Sequence, residues 1–124
     1  MTYIGRGYTP AFTENYDGIV ARLGAGESIE LVDGPDDICG PLLGVANAHC
    51  HNDSVRKRDR LARLAVSDRL GLDDLDGLVL AKPTLAELRT AFRAGSTRAA
   101  CAGCEWSDLC DSVADQSFAG VRLT

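Results

Sequence analysis

The chain has 124 residues, 45% of them apolar and 25% charged, which suits a single globular domain, 1–124, able to bury roughly two-thirds of its unfolded surface. Thirteen Lys and Arg against 18 Asp and Glu leave a net charge of −5, which argues against a general nucleic-acid or membrane-surface binder, because phosphate contacts need surplus cations. Met1–Gly7 lacks the apolar run of an export signal and no stretch approaches the ~18 apolar residues of a membrane helix, so the expectation is a cytoplasmic protein with neither membrane nor nucleic acid as partner.

The first expected element is a helix. Thr9 can cap it, Pro10 suits a first turn that needs no amide donor, and Phe12, Tyr16, Ile19, Val20 and Leu23 recur at helical spacing up to a left-handed stop at Gly24. A short strand follows around Ile29 and Leu31, ended by Gly34-Pro35. Residues 35–52 read as an irregular loop carrying Cys39 and Cys50, because Pro41 and the glycines oppose a regular element. A second helix is expected over about Asp53–Leu70, with Val55, Ala62, Val66 and Leu70 on one side and Arg56, Arg60 and Arg63 on the other. Leu78–Leu80 is a possible second strand. Thr84 and Glu87 form a capping box for a third helix, whose apolar stripe is Leu85, Leu88 and Phe92 and whose stop is Gly95. The tail holds Cys101, Cys104, Trp106 and Cys110. Three capped helices with one or two short strands, plus a cysteine-rich loop and tail, make a mainly α fold, α+β at most.

Five cysteines without an export signal are a poor disulfide framework and point instead to metal or redox chemistry. In Cys101-Ala-Gly-Cys104-Glu-Trp-Ser-Asp-Leu-Cys110 the Ala-Gly pair permits a tight turn that can bring two thiolates to one metal. Cys110 can return to the same place after a turn or two of helix. Zinc and a 4Fe–4S cluster both take four ligands, so a fourth must come from afar: Cys39 or Cys50, with His49 and His51 as further options. A metal joining loop and tail would order a segment, 35–52, with few large apolar residues of its own. The spacing matches neither common ferredoxin pattern, and no second C-x2-C completes a zinc ribbon. Buried inert thiols are the plain competing reading, and a metal-free thiol redox pair at Cys101 and Cys104 is a third.

The segments Gly5-Arg6-Gly7-Tyr8-Thr9-Pro10-Ala11-Phe12, Val32-Asp33-Gly34-Pro35-Asp36-Asp37-Ile38-Cys39 and Cys101-Ala-Gly-Cys104-Glu105-Trp106 resemble the domain-of-unknown-function 1284 family of short bacterial and archaeal proteins. The resemblance spans nearly the whole chain and implies an iron–sulfur cluster, 4Fe–4S, held by cysteines, serving electron transfer or redox sensing with a protein redox partner. Structural zinc in an interaction module is the alternative. The sequence departs from the family pattern in two places: a His-His-x-x-Cys segment expected ahead of Tyr3 is not in this chain, and Leu42 stands where many members have a second cysteine.

Other features have plainer readings. Asp36 and Asp37 after Gly34-Pro35 suit a turn cap better than an acid–base pair. Trp106 can shield a cluster or simply fill the core. The arginine stripe on the second helix can dock an acidic partner or RNA, but reads first as a solvated face. Gly5-Arg6-Gly7 alone is not a nucleotide loop, and both histidines flank Cys50, so no Ser–His–Asp set can be assembled and an independent enzyme is not expected.

Overall fold

A computed structural model of the protein describes residues 1–45 and 52–124. The fold is mainly helical, as the patterning predicts: α1 (Pro10–Gly24), a six-residue 3-10 helix (Asp37–Leu42), α2 (Asp53–Leu70), α3 (Lys82–Ala94), a 3-10 turn (Ala99–Cys101) and α4 (Ser107–Asp115).

Helix α1 begins as expected. The Thr9 side chain accepts from the amide of Phe12 at 3.1 Å and Pro10 opens the first turn. It buries Phe12 and Val20, with Tyr16 half-buried between them. Its left-handed exit lies at Gly26, φ 98°, two residues beyond the expected stop, because Ala25 still donates to Ala21 and Arg22 in a right-handed turn. Among the described residues the two expected strands reduce to one antiparallel bridge between Ser28 and Val79. The amide of Ile29 donates to Leu78, Gly77 donates to Ile29, and the Leu31 amide, two residues on, is taken by the Asp76 carboxylate, which ends the pairing.

The loop after Gly34 is more regular than its composition suggests. Asp36 caps the 3-10 helix by accepting from Ile38 at 2.9 Å, and Pro41 is accommodated inside it. Packing that the sequence did not advertise is supplied by α1: Leu42 is buried against Phe12, Ile38 and Cys39 join them, and Asn15 donates to the carbonyl of Asp37 at 2.7 Å. Helix α2 has the expected bounds and a left-handed Gly71 stop, yet buries no residue fully. It rests on the 99–101 turn and on α3, where Arg69 pairs with Glu87 at 3.3 Å.

Helix α3 departs from the expected cap. It starts at Lys82 with Ala81 as its N-cap and Pro83 in its first turn, so Thr84 lies inside the helix and makes no capping bond. Proline tolerates this because early helix amides lack partners anyway. The α3 stripe of Leu85, Leu88, Ala91 and Phe92 is buried. The cysteine-bearing tail contains α4, which buries Val113 and Ala114.

The core forms three patches. Phe92, Val113, Ala114 and Phe118 join α3 to α4; Phe12 and Leu42 join α1 to the 3-10 helix; Val20, Leu85 and Leu123 join α1, α3 and the last residues of the chain. The segment before α1 runs beside the end of the chain, with Arg122 donating its amide to Tyr3 at 2.9 Å.

Candidate metal centre

Gly95, at φ 87°, turns the chain out of α3 and starts a run of tight turns. Cys101 donates its amide to Arg98, Cys104 to Cys101, and Ser107 to Cys104, at 2.9, 3.0 and 3.2 Å. Gly103 supplies the left-handed residue, φ 71°, that this C-x2-C turn requires. Its carbonyl accepts from Arg58 of α2 at 2.7 Å, which fastens α2 to the turn. Cys110 follows inside α4, its amide bonded to Trp106.

The four described cysteines, Cys39, Cys101, Cys104 and Cys110, are half-buried. Cys50, with His49 and His51, lies outside the described residues. Cys101 and Cys110 both pack on the Phe92–Val113–Phe118 patch, whereas Cys39 packs on Phe12 and Leu42. Among the described residues no three His, Cys, Asp or Glu side chains come together as a group able to hold a metal ion. Thiols suit zinc or iron–sulfur by their chemistry, but the described donors do not by themselves close a four-ligand site.

Two side chains that the sequence reading passed over touch the sulfurs. Arg98 donates from Nε to Cys101 Sγ at 3.1 Å, and its guanidinium is fixed by Asp111 at 2.6 Å and by the face of Phe92, 4.2 Å below. Burial lowers the pKa of Arg98, but Cys101 and Asp111 outweigh that and hold it above the usual value. Arg98 stands three residues before Cys101, one turn away, so this pairing has a local signature. Thr2 Oγ1 lies 3.3 Å from Cys110 Sγ across 108 residues, a contact with none.

The three segments that carry the family resemblance meet in space. Trp106 donates from Nε1 to the Tyr8 hydroxyl at 2.8 Å, and that hydroxyl donates to Glu105 at 2.9 Å. The Tyr8 ring stands edge-on to both Trp106 and Phe12, at 5.4 and 5.3 Å, and Phe12 in turn carries Ile38 and Cys39. Tyr8, Phe12, Tyr16, Trp106, Leu109 and Cys110 contribute to the wall of a cavity of about 230 Å³. Burial raises the pKa of Tyr16, with Asp36 and Cys110 adding to it. Burial likewise raises that of Tyr8, where the Trp106 bond opposes and Glu105 and Cys104 assist. Cys110 thus lines this aromatic cavity, and Cys39 packs on the Phe12–Leu42 patch beside it.

No helix among the described residues is long and apolar enough to cross a membrane. Neither the curated proteins nor the solved structures contain a match to the chain. The family model described as protein of unknown function (DUF1284) matches residues 7–110, and the chain belongs to that family.

Proposed function

We propose that the protein binds a cysteine-ligated metal centre, an iron–sulfur cluster, and serves electron transfer or redox sensing with a protein partner. Cys101, Cys104, Cys110 and Cys39 are the proposed ligands, with Cys50 as the other source of a fourth thiolate. The observation that carries this reading is the meeting of three segments, distant in sequence, at Tyr8, Phe12 and Trp106, with Cys110 lining the cavity they build and Cys39 packed on the Phe12–Leu42 patch. An apolar, aromatic surround keeps water from a cluster and tunes its potential. The chain's own contribution is to hold the sulfurs in place: the Gly103 turn spaces Cys101 from Cys104, and Arg98 donates to the Cys101 sulfur, a contact that would offset the charge of a metal-bound thiolate. The preference for iron–sulfur over zinc comes from the family resemblance.

Protein purified without oxygen is the test, with iron, acid-labile sulfide and zinc measured per chain. Iron and sulfide, lost in the C101A/C104A/C110A variant, are the expected result. One zinc per chain and no sulfide replaces the cluster with a structural zinc site. Metal-free protein with titrating thiols, or a triple variant with unchanged metal content, ends the proposal.

A further inference from the structure

A second concavity, about 350 Å³, lies on the other side of α2 from its packed face. Its lining carries charged side chains: Arg56, Arg60 and Arg63 from α2, Asp59 between them, and Asp33 opposite, flanked by Val32 and Gly34. The volume is at the low end of the ~300–1,000 Å³ typical of small-molecule sites. The arginines fall at i, i+4 and i+7, so a single helix face aims all three at the groove. Arg63 is engaged by Asp33, Nη2 to Oδ1 at 3.1 Å, whereas the guanidiniums of Arg56 and Arg60 have no hydrogen bond or ion pair among the described residues. Two uncommitted guanidiniums one helical turn apart are a ready anion clamp, because each planar fork matches two oxygens of a phosphoryl group.

The acidic members narrow the ligand. Asp33 and Asp59 line the same groove, and Asp36 is close enough to raise the Asp59 pKa, second to burial and against the pull of Arg63. Carboxylates among arginines repel an extended polyanion such as RNA, as does a chain of net charge −5. They accept well from hydroxyl groups. We propose that this groove binds a small phosphorylated polyol, its phosphoryl group held by Arg56 and Arg60 and its hydroxyls by Asp33 and Asp59. This assignment is independent of the metal centre, whose proposed ligands lie outside the groove.

The test is calorimetric titration of the full chain, in phosphate-free buffer, with glycerol 3-phosphate, inorganic phosphate and glycerol. Saturable binding of glycerol 3-phosphate, none of glycerol, and at least a roughly tenfold loss in R56Q/R60Q are expected, since a charge-assisted pair is worth that much. A charge-matched control, K57Q/K82Q, changes two exposed lysines outside the groove and should bind as wild type does. D59N should weaken glycerol 3-phosphate but not inorganic phosphate, whose binding loses a nearby repelling charge. Equal binding of both phosphates, unaffected by D59N, would reduce the site to a bare phosphate clamp and overturn the polyol assignment. Absence of saturable binding, or equal losses in R56Q/R60Q and the lysine control, overturns the site itself. Circular dichroism guards the comparison, and helix content should hold because α2 buries no side chain fully.

Discussion

At the scale of single residues, the two glycines of the α1 region show opposite constraints. A Cβ placed on Gly7 would lie 2.4 and 2.6 Å from ring carbons of Phe12, whose ring is buried between Tyr8 and Tyr16 and cannot swing away. Gly7→Ala should therefore cost about 1–3 kcal/mol, the usual penalty of overpacking. Gly18 sits inside α1 with nothing within 4 Å of an added Cβ. Gly18→Ala should gain roughly 0.5–1 kcal/mol from helix propensity and a less flexible unfolded chain. Urea denaturation of the two variants beside wild type would separate these signs; equal effects would contradict the geometry. Tyr3 adds a pH dependence. Partial burial, then its hydrogen bond to Asp17, push its pKa up to about 12 from 10.0. The fold thus favours the neutral phenol. That contribution is whole below pH 10 and is lost as pH rises towards 12, because the unfolded chain releases the proton first. Tyr8 and Tyr16 shift in the same direction. Stability should decline across this alkaline window, and Tyr3→Phe should decline less steeply there; parallel curves would remove Tyr3 from the account.

At the scale of elements, helix ends separate what sequence can and cannot show. Thr9 and Thr84 carry similar signals, yet only Thr9 caps, because Pro83 lets α3 begin two residues ahead of Thr84. Thr9→Ala should cost about 1 kcal/mol and Thr84→Ala less than about 0.5 kcal/mol, measured by thermal melting. Comparable losses would restore the capping box. The bounds of α2 and the stripe of α3 were legible because apolar spacing and a terminal glycine are local facts. The strands were only half legible: the expected segments around Ile29–Leu31 and Leu78–Leu80 do meet, beside the Ser28–Val79 bridge, but Asp76 occupies the Leu31 amide, and nothing local announces that. The Pro41 loop misled for a related reason. Its regularity comes from Leu42 meeting Phe12, a tertiary contact that overrides local composition. Of the candidate site, the cysteine spacing and its Gly103 turn were readable, while Thr2 beside Cys110 depends on the whole chain having folded.

At the scale of the whole molecule, the two ends of the chain help to complete the core. Leu123 is buried with Val20 and Leu85, Tyr3 packs on the same patch, and Arg89 of α3 donates to the carbonyl of Leu123. Leu85 is only 2% exposed. The last residues therefore act as a third side of the α1–α3 contact. Leu85→Ala and Leu123→Ala should each cost about 2–5 kcal/mol, a large share of the ~5–15 kcal/mol that holds a domain of this kind together. Leu64, 60% exposed on α2, is the control, and Leu64→Ala should stay within about 0.5 kcal/mol. Because Leu85 and Leu123 share one patch, the double variant should lose less than the sum of the single losses, the cavity being opened once. Additive losses in guanidinium denaturation would mean that the tail packs independently of α3. A wild-type cost for Leu123→Ala would mean that the α1–α3 contact stands without it.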